Sequence, residues 1–186
     1  MVLLTGNHPA SNPRVVKEAD AFTEAGYEVT VLGGAFLPEL SGRDEKIVQG
    51  KEWSYRKAYD LTCGGPGPFL LKLQRKLGVL ASQKLGLANR WQLGPMAELL
   101  LKEARKRKAD LYIAHSEAGM WAAEQLRKQG KRVGVDMEDW FSEDLLPEAR
   151  RARPIRLLME LEKNLLCHGV HSTCTSEAMA DALVKA

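Results

Sequence analysis

The first 34 residues, MVLLTGNHPASNPRVVKEADAFTEAGYEVTVLGG, read as strand, loop, helix and strand, which commits the chain to a parallel sheet. Residues 2–5 form an apolar run that fits a buried parallel strand. Asn12 suits a helix N-cap and Pro13 the first helical turn. Val15, Ala19, Phe22 and Ala25 recur at helical spacing, Gly26 stops the helix, and residues 29–32 supply the second strand. The loop from Gly6 to Asn12 therefore lies at the carboxyl end of a parallel strand, where open α/β sheets bind ligands. It lacks the three spaced glycines of a dinucleotide-binding turn and offers instead Gly6, Asn7, His8, Ser11 and Arg14 around a helix N-terminus. That set suits an anionic or hydroxyl-rich ligand.

Strands and helices continue to alternate. Residues 52–61 read as a third strand whose aromatics Trp53, Tyr55 and Tyr59 share one parity, and residues 35–51 before it read as a polar loop. After a Gly/Pro cluster at residues 63–68, helices are expected over 69–91 and from Pro95. Residues 110–115 (DLYIAH) form a strand, 118–129 a helix ended by Gly130, and 132–136 (RVGVD) a strand followed by a polar loop. Helices over 145–151 and 154–166, a last strand near 170–174 and a helix capped by Ser176 complete the chain. The expected fold class is α/β, one Rossmann-like domain over residues 1–186 with helices on both faces of a parallel sheet.

Composition narrows the setting. No apolar run reaches the roughly 18 residues that span a bilayer, and the N-terminus has no basic leader. Three scattered cysteines point to a reducing compartment, cytoplasmic by default. The overall charge of +3 hides an asymmetry: residues 61–109 hold ten Lys or Arg against two Glu, and no acid lies between Asp60 and Glu98. Such clustering favours an anionic partner.

His115, Ser116 and Glu117 follow one expected strand, and Asp136, Glu138 and Asp139 end or follow the next. If those strands are neighbours, both groups share the carboxyl edge with Asn7 and His8, and a pocket of His and carboxylates there can hold hydroxyls and orient an acceptor. The plainer reading makes Glu117 a first-turn helix acid and Glu138 and Asp139 solvated loop residues. In the helix over 69–84, Phe69, Leu70, Leu73, Leu77 and Leu80 fall within roughly 100° of arc, with Lys72, Arg75 and Lys76 on another. Peripheral contact with an anionic membrane is one reading, and a leucine stripe packed on the sheet is the other. The segment from Cys167 to Cys174 does not follow a zinc-ligand spacing, so no metal is expected, and nothing accompanies the basic stretch that would read as a nucleic-acid-binding motif.

The opening segment, with Asn12-Pro13-Arg14-Val15, Glu18-Ala19 and Gly26-Tyr27-Glu28-Val29-Thr30-Val31, resembles the N-terminal domain of GT-B glycosyltransferases, in particular the retaining family 4 group. The strand and turn from Asp110 to His115, Arg132-Val133-Gly134-Val135-Asp136 with Glu138 and Asp139, and Thr175-Ser176-Glu177-Ala178-Met179 extend the likeness across nearly the whole chain through loose motifs. The resemblance implies the acceptor-side half of an enzyme that moves a sugar from a nucleotide-sugar donor to a hydroxyl acceptor, saccharide or lipid-linked, without a cofactor. It gives His115 the leading polar role near the reacting sugar, by polarising and positioning, so that His115→Ala is expected to lower turnover and spare the fold. Gly6, Asn7, His8, Arg14, Ser116, Glu117, Asp136, Glu138 and Asp139 become acceptor-side candidates. The ten residues after Ser176 cannot supply the family's donor-binding domain, so that domain is expected to lie outside this chain and the chain alone to be inactive. A non-catalytic recruiting subunit of a split transferase and an unrelated Rossmann-like binding module are the alternatives.

Overall fold

In the computed structural model, which describes residues 1–62, 66–85, 93, 96–144, 146–150 and 153–185, six parallel strands run in the order β3-β2-β1-β4-β5-β6. They are β1 (Val2–Thr5), β2 (Thr30–Ala35), β3 (Ser54–Asp60), β4 (Tyr112–His115), β5 (Val133–Met137) and β6 (His171–Cys174). The helices are α1 (Pro13–Glu24), α2 (Pro38–Val48), α3 (Pro66–Leu85), α4 (Met96–Arg105), α5 (Ser116–Arg127), α6 (Pro147–Arg150), α7 (Ile155–His168) and α8 (Glu177–Lys185). This is a Rossmann-like α/β domain. Strands added before α3 lie on one side of β1 and strands added after it on the other. The order of strand addition therefore reverses between β1 and β4, which pair in parallel with Val2 opposite Tyr112 and Thr5 opposite His115.

Local chemistry sets the element ends. The Asn12 side chain accepts a hydrogen bond from Val15 N at 3.2 Å, and Pro13 occupies the first turn of α1. Gly26 takes φ +87°, the left-handed conformation that ends the helix. Ser176 Oγ accepts from Met179 N at 3.2 Å and starts α8.

Strand alternation divides the core in two. Val2, Leu4, Tyr112, Ala114, Val133 and Val135 face α4, α5 and α7, where Leu100, Met120, Leu126, Leu158 and Leu165 are fully buried. Each such side chain contributes about 1.5–3 kcal/mol. Leu3, Val31 and Ile113 face the other way, onto Val15 and Ala19 of α1 and onto Trp53. Gly119 lets α5 sit directly on β1, because a Cβ there would lie 2.3 Å from Leu4 O.

Two expectations are corrected. Residues 38–48, read as loop, form α2: Pro38 starts it, Glu39 lies in its first turn, and buried Asp44 anchors it to the β1 loop. The aromatics of β3 do not share one environment. The β2–β3 register shifts between Gly33 and Gly34, paired with Lys57 and Tyr59, so Ala58 is the extra residue. Trp53 packs against α1, donating Nε1 to Asp20 at 2.7 Å, and Tyr55 lies beside Asp44 and Val48 of α2, whereas Tyr59 crosses to the carboxyl edge.

Candidate functional site

At the reversal point the chain leaves β1 and β4 for helices on opposite faces of the sheet, α1 and α5, the arrangement that opens a crevice in open α/β sheets. Gly6 N donates to Ser116 Oγ at 2.9 Å, and Tyr59 Oη donates to Gly6 O at 2.5 Å. Ser116 holds φ +66°, a left-handed conformation that costs a non-glycine residue about 1 kcal/mol. This turn converts β4 into α5 without an intervening loop and leaves the first turn of α5 at the edge of the sheet. Gly34 makes room for Tyr59: a Cβ there would lie 2.0 Å from the phenol ring.

The result is a cavity of about 650 Å³ at the carboxyl edge. Gly6, Asn7, Ser116, Glu117 and Asp139, all expected from the sequence, line it. Tyr59, Phe36, Phe141, Asp144 and Arg153 also line it, and these the sequence reading missed. Glu117 pairs with Arg153. The Asp144 pKa is raised from its ordinary value by partial desolvation and by the neighbouring Asp139 charge. The loop carrying Asp139, Phe141 and Asp144 is fixed from behind. Buried Glu162 of α7 accepts from Ser142 N at 3.0 Å and from Ser142 Oγ at 2.6 Å. Three carboxylates beside one guanidinium and three aromatic rings make a poor anion site and a good one for hydroxyls, which both donate and accept.

His115, Arg14, Asp136 and Glu138 are not at this cavity. Strand parity sends His115 to the same face as Ile113, under α1. The imidazole is fully buried and bridges two carboxylates, Nδ1 to Glu138 at 3.0 Å and Nε2 to Glu18 of α1. Asp136 is buried beside it, 3.5 Å from Nδ1, and is bonded by the Arg14 fork and by Thr173 Oγ1. Asn12 Nδ2 completes the network on Glu138. Burial works against charge on His115, but the Glu138 and Glu18 hydrogen bonds outweigh it and raise its pKa to about 9. For Asp136 burial is likewise the opposing effect, and the Arg14 and Thr173 hydrogen bonds bring its pKa below the ordinary value. His115, Asp136 and Glu138 offer donor atoms within 4.8 Å of one another. Those donors already serve Arg14, Thr173 and Asn12, and three carboxylates, Glu18 included, share the two cations Arg14 and His115, so the arrangement is a hydrogen-bonded ion network.

His8 is a third, separate case. Its ring is fully buried, Nδ1 bonded to Asp44 at 2.6 Å, while Nε2 accepts from Phe36 N at 2.8 Å and Leu37 N at 2.9 Å. Asp44 also accepts from Ala10 N at 2.9 Å. His8 thus ties together the loops after β1 and β2 and the helix α2, and both ring nitrogens are consumed in doing so. Lys72, Arg75 and Lys76 lie on α3. Lys76 is exposed, and the side chains of Lys72 and Arg75 fall outside the described residues. No helix among the described residues is long and apolar enough to cross a membrane. No protein-family model matches the chain, and no curated protein matches it.

Proposed function

We propose that this domain is the acceptor-side half of a glycosyltransferase, one that holds a hydroxyl-bearing acceptor while a donor-binding domain presents a nucleotide sugar. The observation that carries the reading is the cavity at the strand-order reversal, where Glu117, Asp139 and Asp144 meet Arg153 and the rings of Phe36, Tyr59 and Phe141. Carboxylates accept from sugar hydroxyls, the guanidinium donates to them, and aromatic faces pack on the apolar faces of a pyranose. The likeness to the GT-B N-terminal domain supports the same assignment. In the transfer, the bond from the sugar's anomeric carbon to the nucleotide diphosphate breaks. A bond from that carbon to the acceptor oxygen forms, and the acceptor proton passes to the leaving phosphate. This chain's part is to orient the acceptor oxygen. His115 is a positioning residue in this scheme: its network holds the β4 end and the β5 loop on which Ser116, Glu117 and Asp139 stand. The free thiols of Cys167 and Cys174 accord with a reducing compartment.

Saturation-transfer NMR of the chain with a panel of methyl hexosides and nucleotide sugars tests this. Saccharide signals that are lost in Glu117→Gln and Asp139→Asn are expected. Tight nucleotide binding, with no saccharide signal, would overturn it in favour of a nucleotide-binding module. The mass of the native product in its source cells tells whether the donor domain is covalently joined or a separate chain.

A further inference from the structure

The helix α3 presents its greasiest face outward. Phe69, Leu70, Leu73, Leu77 and Leu80 all remain exposed, from 41% at Leu73 to 66% at Phe69. At 100° per residue these five positions fall on one arc of about 100°. The opposite arc holds Leu71, which lines the cavity, and Gly78, which is buried. So the expected leucine stripe exists, and the reading that packs it on the sheet is not what the fold does. Five large apolar side chains along one 20-residue helix form a contiguous ridge of a kind that monomeric proteins reserve for partners.

Charge selects the partner. The sequence from Leu61 to Ala97 contains no Asp or Glu, and Lys76 is exposed next to the ridge. An acid-free, Lys- and Arg-bearing amphipathic helix is complementary to a surface that is apolar inside and negative at its face. A protein partner or second copy would need matching acids, and a neutral lipid surface would leave the cations unused.

We infer that α3 is a membrane-docking helix that seats this domain on an anionic lipid surface, with Phe69, Leu70, Leu73, Leu77 and Leu80 entering the headgroup–acyl boundary. Leu71 faces the cavity from the same helix, so docking brings the cavity mouth beside the lipid. Under the transferase reading, and resting on it, the acceptor class is then a lipid-linked hydroxyl compound. The docking itself does not depend on that reading, because it is measured without any sugar.

The experiment is flotation of the 186-residue chain with vesicles of phosphatidylcholine alone or with about 30% phosphatidylglycerol, at low salt and at about 0.5 M salt, alongside light scattering without lipid. Roughly tenfold more protein is expected on the anionic vesicles, falling several-fold at high salt. Leu73→Ser with Leu77→Ser should abolish flotation, and Lys76→Glu should weaken it on anionic vesicles. Leu73, Lys76 and Leu77 are exposed, so unchanged thermal melting of the variants is the control for folding. No flotation with either lipid overturns the inference. So does a dimer in light scattering that the leucine variants dissociate, which would give the ridge to a second copy. Flotation without any saccharide signal in NMR would sink the transferase reading and leave the docking intact.

Discussion

Glu138 accepts a hydrogen bond from Nδ1 of His115 at 3.0 Å, fastening the loop after β5 to the end of β4 on the face covered by α1. The imidazole holds Glu18 of α1 with its other nitrogen, so three segments meet at one buried ring. Because the folded-state pKa of about 9 lies above the ordinary 6.5, the imidazolium stabilises the fold fully below pH 6.5 and loses that contribution as pH rises through 9. The window is worth roughly 3 kcal/mol. Urea denaturation at steps from pH 6 to 10 should show this decline in the native chain and a flatter profile in His115→Gln. An unchanged profile in the variant would mean that the ring carries no charge.

His115→Ala should also lose roughly 3–5 kcal/mol near neutral pH, because Glu18, Asp136 and Glu138 would keep their negative charges with one cation fewer among them. This revises the expectation that the substitution spares the fold. Differential scanning calorimetry gives the test, and a melting temperature equal to the native one would refute the network's structural role.

His8→Ala removes the acceptor of two backbone N–H groups, at Phe36 and Leu37, and leaves Asp44 without its imidazole. A loss of roughly 2–4 kcal/mol is expected. Hydrogen exchange should localise it, with the amides of Phe36 and Leu37 losing protection first.

Gly34→Ala places a methyl group 2.0 Å from the Tyr59 ring, so the phenol must leave Gly6 O. Overpacking here should cost roughly 1–3 kcal/mol. The double variant Gly34→Ala with Tyr59→Ala should recover part of that stability. If Gly34→Ala melts like the native chain, the close approach is not a constraint.

Asp139→Asn should leave stability within about 0.5 kcal/mol, since Asp139 is exposed. It should also let the Asp144 carboxyl fall toward its ordinary value by removing the adjacent charge. Carboxyl carbon shifts followed by NMR through the acid range read this directly, and an unmoved Asp144 titration would show that burial alone holds it up.

Much of the scaffold could be read from single residues. Asn12, Pro13 and Gly26 bound α1 by capping chemistry that operates within four residues, and the apolar strands of β1, β4 and β5 required helices on both sides. What escaped depended on distant partners. The helix α2 is polar, and Asp44, which anchors it, is explained only by His8, 36 residues away. Parity along β3 misleads because Ala58 is inserted into the ladder, a displacement without a local signature. For the site, the strand-end residues Gly6, Asn7, Ser116, Glu117 and Asp139 could be found because strands end on one edge. His115 follows the same strand ends, yet its parity with Ile113 carries it under α1. Asp144 reaches the cavity on a loop held by Ser142 on Glu162 of α7, and Arg153 by pairing with Glu117, contacts that no spacing in the sequence encodes.

The reversal of strand order between β1 and β4 has an engineering consequence. The opening at the sheet edge is produced by chain connectivity, and two of the segments that wall it, the one around Phe36 and the one from Asp139 to Asp144, lie in loops outside the strands. The share of ligand preference that these two segments carry is therefore separable from the scaffold, while Tyr59 and Glu117 stay with β3 and α5. Those two wall segments can be exchanged for others of equal length, as long as His8 and Glu162 keep their anchors, and the vessel will persist while its contents change.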